Sequence, residues 1–485
     1  MPRIRILLTL LLTISTAAVA DFHIESSSNH RDVDAVGGVA LRITVVNGTT
    51  APASNVTLFY AAERASLGTL APGESASFDV RVAFDQSYGR KYLPVSAQAD
   101  IGGKTVSDFE YTPVARYRSF AVTQTGDAGA GSLRAAIDAL NADSVCAALP
   151  CAIDFDLAPD STIVLQSALP QITAHDVLVD VLGKGSVTLD GAAVRGNALD
   201  FNVAERATVD GLTIANFGDN AILLRTHRPQ NFADPFQSFE VTNCVLRHNV
   251  RGINVTPGSS IWSSVIRDNL LADNARSAVF VDNDHNLGGP LVPAIRIERN
   301  RITGNGASGI YLGPGSDGAL LVDNVIEHNH DFGLAVARGA INVRLLPNVI
   351  AHNGAAIDIG LDGPTPSLPE PTGDRSPAVI ESARYDPATN TTTISGRPGV
   401  TPIGICDLCM THIVSLYAND APEHGEYAEA QTYLGEAQPN GAGFVFTFNG
   451  DLRDKYVTAL VTLWVNGVGS DLFNTAELSK AVLIR

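Results

Sequence analysis

The residues of this 485-residue chain best suited to proton transfer are an acidic run holding a histidine, Asp282-Asn283-Asp284-His285-Asn286, and the basic pair His227-Arg228 with Asp234 following. Asp282 and Asp284 offer hard oxygen donors that could hold Ca²⁺ beside the carboxylate of a uronic acid. A base among His285, His227 and Arg228 could then remove the proton alpha to that carboxylate, which is lyase or epimerase chemistry on a polysaccharide. The run is not an EF-hand loop: Leu287 stands where glycine is required and Pro293 where glutamate is. A second group suits binding rather than reaction. Phe280, Tyr311 and Trp262 are aromatic surfaces on which a sugar can pack, with Asn254 as a hydrogen-bonding neighbour. His328, His330 and His352 could meet a transition metal, but no carboxylate or thiol joins them in the motif, and solvated turns account for them better.

These residues acquire positions from an internal repeat. Five segments superimpose: Cys244 to Asn249, Asn269 to Asn274, Asn300 to Asn305, Asn324 to Asn329 and Asn348 to Asn353, with a looser copy at Gly211 to Asn216. Each is followed by a small residue, an aliphatic, any residue and an aliphatic, as in Gly309-Ile310-Tyr311-Leu312. Successive intervals are 33, 25, 31, 24 and 24 residues. Short period-two strands with no helical spacing predict a coil of one circuit per repeat, its parallel strands stacked about 4.8 Å apart. Aliphatics fill the bore, and the recurring asparagines form ladders, each amide donating to the next carbonyl. Cys244 falls in an asparagine column and is expected to be a buried free thiol. The outward residues of the second strand read Leu223, Asn254, Phe280, Tyr311, Ala335 and Asp358. Two longer circuits carry insertions at 225–237 and 282–293, which should rise on one side as walls of a groove, with Trp262 between them.

The segment 120–137, Phe-Ala-Val-Thr-Gln-Thr-Gly-Asp-Ala-Gly-Ala-Gly-Ser-Leu-Arg-Ala-Ala-Ile, closely resembles the opening of bacterial secreted right-handed parallel β-helix proteins of the pectate-lyase-like superfamily. Residues 168–172 and 356–363 resemble an early turn and the exit of the same family. The resemblance implies a β-helix over 119–363, with Ser132 capping a short helix, Leu133 to Leu140, that plugs the open end. On either side, apolar and polar residues alternate between turn signals such as Asn47-Gly48 and Pro72-Gly73, which predicts a β-sandwich at 21–118 and another at 377–485. Residues 45–48, 55–58 and 67–75 resemble the Ig-like repeats of bacterial surface proteins, and 415–420, 433–435 and 474–479 resemble a sandwich module that follows such helices. Proline-rich 364–376 reads as a linker.

Composition is that of a folded protein, 45% hydrophobic and 17% charged, and a net charge of −18 argues against nucleic acid or an anionic membrane as partner. Residues 1–20 read as a signal peptide: Arg3 and Arg5, the apolar run Ile6 to Ile14, and Ala18-Val19-Ala20 as the cleavage site. The protein is therefore expected outside the cytoplasm, without integral membrane contact, in a compartment where Cys146 with Cys151 and Cys406 with Cys409 form local disulfides. The expected fold is all-β, a right-handed parallel β-helix between two sandwiches. The expected function is glycan binding or adhesion, with a polysaccharide or cell-surface glycan as partner. Two alternatives stay open: a lyase or epimerase on uronic-acid polymers assisted by Ca²⁺, and a structural spacer that binds nothing.

Overall fold

The computed structural model describes residues 22–361 and 377–485, except 35–36, 50, 61–62, 85–87, 182–184, 226–236, 257–260, 262–263, 283–293, 315, 317, 341–342, 400–409, 423–428, 440–442 and 466–474. The expected signal peptide, the linker 364–376 and the Cys406/Cys409 pair lie outside these residues. Among the described residues no helix is long and apolar enough to cross a membrane.

Three long parallel sheets of nine, eight and seven strands make the middle of the chain, and each circuit adds one strand to each sheet. The first strand, Arg118–Val122, pairs with Pro150–Phe155, and the last, Ala355–Ile359, pairs with Phe332–Val336. The bore is filled by aliphatics stacked in register, for example Leu199, Ile222, Ile253, Val279, Ile310, Leu334 and Ile357. All are buried, and aliphatic layers at this spacing exclude water along the whole coil. The helix Leu133–Ala142 closes the first circuit as expected. Ser132 caps it, its hydroxyl accepting from the Ala135 N–H at 3.2 Å, and Leu133, Ala136, Ile137 and Leu140 face inward. Cys146 and Cys151 form the expected disulfide beside it.

The repeat produces two asparagine ladders, not one. In the first, Asn269, Asn300, Asn324 and Asn348 stack; in the second, Asn249, Asn274, Asn305, Asn329 and Asn353. Each Oδ1 accepts both the backbone N–H and the side-chain Nδ2 of the asparagine one turn earlier, as at Asn324 and Asn348, at 3.0 and 2.9 Å. Cys244 heads the first ladder: its backbone N–H donates to Asn269 Oδ1 at 2.9 Å, and burial pushes its thiol up to about 12. Except at Asn348, which follows Pro347, the residue before each rung turns the chain through the left-handed region, with φ between 53° and 68° at Asn243, Asp268, Arg299 and Asp323, and at His248, Asp273, Gly304, His328 and His352. Asn, Asp, His and Gly tolerate that conformation best, so the turn geometry explains the histidine column without a metal. His328 and His352 sit one above the other, their ring centroids 5.3 Å apart.

Antiparallel sheets precede and follow the coil. Residues Phe22–Val33, Val39–Asn47 and Ser75–Val82 form one, and Ala53–Tyr60, Glu63–Leu70, Gly89–Ile101 and Lys104–Arg116 the other, around a core that includes Leu41, Ile43, Leu58 and Val95. Asn47 is wholly buried at their corner, its amide donating to the carbonyls of Ala51, Leu70 and Ala71. This N-terminal unit leans on the nine-stranded sheet. Arg90 makes a buried two-pronged bond to Asp176, both contacts 2.8 Å, and Arg299 reaches Glu25 at 3.9 Å.

The C-terminal unit has sheets of three strands, Val379–Asp386, Thr391–Arg397 and Phe444–Asn449, and of four, Met410–Asn419, Thr432–Ala437, Tyr456–Val465 and Val482–Leu483. It completes the last circuit of the coil. Ile350 and Ala430 exchange backbone bonds of 3.0 and 2.9 Å. Glu429, wholly buried, takes the place of the next asparagine: its carboxylate accepts the N–H of His352 at 2.6 Å and of Asn353 at 3.2 Å. Thr475 Oγ1 accepts from Leu345 N–H at 2.9 Å, and Glu477 Oε1 from Ile359 N–H at 3.1 Å. Thr475 and Glu477 belong to the motif 474–479 that marks this unit in the sequence.

Candidate functional site

The seven-stranded sheet carries the outward column expected from the repeat. Leu223, Asn254, Phe280, Tyr311, Ala335 and Asp358 are register partners on successive turns. The column is closed at both ends: Leu223 is 5% exposed, and Ala335 and Asp358 are each 1% exposed. Only Asn254, Phe280 and Tyr311 are half-open. These three therefore form a half-open stretch between buried positions of the column.

Phe280 and Tyr311 stack with centroids 4.6 Å apart and planes 6° from parallel. The strand spacing dictates this: parallel in-register strands place side chains about one ring thickness apart. One face of each ring is therefore spent on the other. Arg251, on the preceding turn, covers Phe280 on the side away from Tyr311, its guanidinium carbon 4.6 Å from the ring centroid. What faces solvent is a row of ring edges flanked by a guanidinium, the Asn254 amide and the Tyr311 hydroxyl. Tyr311 is held above the ordinary phenol range by partial burial and by the nearby Asp282 carboxylate. Asp282 packs at the start of the second insertion, close enough to Gly313 that an added Cβ there would lie 2.5 Å from its Oδ1.

The structure thus brings together Asn254, Phe280, Tyr311 and Asp282. Trp262, His227, Arg228, Asp284 and His285 lie outside the described residues, so the proton-transfer set and the second calcium ligand have no described position. Among the described residues no three His, Cys, Asp or Glu side chains converge as a metal site. Arg251 escaped the sequence reading. The signal available was a basic residue just ahead of Gly252, on the turn before Phe280.

Residues 204–365 match the family model described as the right handed beta helix region, about a third of the chain. None of the curated proteins compared with the chain matches it. The three parallel sheets extend that region back to Arg118, and with the matched segment they make this chain a right-handed β-helix protein.

Proposed function

We propose that the protein is an extracytoplasmic or cell-surface β-helix protein that binds a glycan across the middle turns of the seven-stranded sheet. The observation that carries this reading is the half-open patch of Asn254, Phe280 and Tyr311 between buried ends of one column. Apolar ring edges beside an amide, a phenol and a guanidinium suit a molecule that is apolar on its ring carbons and hydroxylated around them. The leader-like residues 1–20 and the Cys146–Cys151 disulfide support a location outside the reducing cytoplasm. The Ig-like motifs of the N-terminal unit support presentation at a surface.

A glycan-array screen of the full chain tests the reading, followed by titration of each hit with Phe280→Ala and Tyr311→Ala. Each substitution should weaken binding by about 1 kcal/mol or more. Hits that ignore both substitutions would move the site to another face. No hits would leave the helix as a spacer between its flanking sheets.

A further inference from the structure

The geometry points to an anion-binding subsite at Arg251 and Arg276, so that the sugar chain held beside Phe280 and Tyr311 carries a carboxylate or sulfate group. This deepens the glycan reading and rests on it. The chain has a net charge of −18, and several of its arginines face carboxylates: Arg206 meets Glu240 at 2.7 Å, Arg225 meets Asp200 at 2.7 Å, and Arg299 meets Asp268 at 2.9 Å. Arg251 does not. Its guanidinium lies on the Phe280 ring, and its Nε is buried without a hydrogen-bond partner among the described residues.

Arg276 is placed beside it by the turn itself. The Arg276 backbone N–H donates to Val250 O at 2.8 Å, next to Arg251 on the preceding turn, while the Arg276 side chain stays exposed. The two arginines thus leave the backbone side by side on neighbouring turns, close enough for their charges to interact. Burial, and then the charge of Arg276, hold Arg251 below the ordinary arginine range, with Asp219 opposing them. Asp219 is itself engaged by Asn220 Nδ2 at 2.9 Å. Asp282 stands on the far side, by Tyr311.

Two like charges side by side repel each other, and an anion bound between them would relieve that repulsion. A guanidinium held over a ring can still present its Nη atoms to a two-oxygen acceptor. The aromatic edges would meet the sugar ring while the two arginines meet its charged substituent.

The test is calorimetric titration of the full chain with three size-matched oligosaccharides: galacturonate oligomers, sulfated dextran oligomers and neutral dextran oligomers. Free acetate and inorganic sulfate are titrated beside them. Arg276→Gln, on an exposed side chain, and Arg251→Gln should each weaken the preferred acidic oligomer about ten-fold and leave neutral binding unchanged. Arg251→Lys, which keeps charge and loses the planar fork, should fall between. Raising salt should weaken the acidic oligomer alone. Preference between the galacturonate and sulfated oligomers tells carboxylate from sulfate. Equal binding of acidic and neutral oligomers, insensitive to the arginines, would overturn the anion subsite and leave the glycan groove standing. Free anions bound through the arginines, with no gain from any sugar, would keep the subsite and overturn the groove. No binding by any probe would overturn both.

Discussion

Glu429 offers the sharpest test of how the coil ends. Its carboxylate stands where the next rung of the second ladder would be, accepting the N–H groups of His352 and Asn353 at 2.6 and 3.2 Å. Replacing it by alanine leaves two buried donors without acceptors. Each charge-assisted bond lost is worth about 1.5–3 kcal/mol, so Glu429→Ala should cost about 3–5 kcal/mol of stability. Glu429→Gln keeps a carbonyl for one N–H but turns an amide N–H₂ toward the other, so it should cost roughly half as much. Urea unfolding of the full chain measures the order alanine, glutamine, wild type. Hydrogen exchange localises it, because residues 350–353 should lose protection first in both variants while the first circuits keep theirs. If both variants unfold within about 0.5 kcal/mol of wild type, the carboxylate is not a rung and the C-terminal unit is not the cap.

Within the ladder, Asn324→Leu removes the acceptor of the Asn300 N–H and Nδ2, at 3.1 and 3.0 Å, and should lower stability by about 3 kcal/mol in the same urea assay. At the seam with the N-terminal unit, Arg90→Ala strands the buried Asp176 carboxylate and should cost about 3–5 kcal/mol in the same assay, whereas Arg42→Ala, on an exposed pair with Asp79, should leave the urea midpoint nearly unchanged. His175 Nε2 meets Glu205 at 2.8 Å, and that hydrogen bond raises the imidazole above its ordinary 6.5. The folded state then binds the proton more tightly, so the pair's contribution is complete below pH 6.5 and lost as pH rises through the raised value. The same bond lowers Glu205, whose contribution persists above the ordinary glutamate range and is lost only as pH falls through the lowered value. Melting curves of His175→Asn between pH 5.5 and 8.5 should lack the wild-type decline.

The coil was legible because its determinants are local and repeated. An aliphatic every second residue and an asparagine at each circuit state both the bore and the ladder, and the register Asn254, Phe280, Tyr311 follows from counting. Ser132 and the disulfide were legible for the same reason, since each acts within a few residues. The stacking of Phe280 on Tyr311 was legible from the same register, but the contact that covers the other face of Phe280 was not. Arg251 was hidden because its partner Phe280 is a full circuit later. The docking of the C-terminal unit was least legible of all. Glu429 acts on a backbone 76 and 77 residues earlier, and nothing in its own neighbourhood signals a rung.

Where the described surfaces are closed also bears on function. The nine-stranded sheet meets the N-terminal unit through Arg90 and Arg299, the first circuit is plugged by Leu133–Ala142, and the last is completed by Glu429 and Ala430. The eight-stranded sheet presents Arg301 paired with Glu327, and an exposed Arg247, among small and aliphatic residues. The middle turns of the seven-stranded sheet combine two features. They hold stacked rings in a half-open column, and beside them two arginines for which the described residues provide no ion pair. Closed ends and matched charges stabilise the coil. The Arg251–Phe280–Tyr311 stack ties three successive turns together, and the proposed ligand would meet its solvent side.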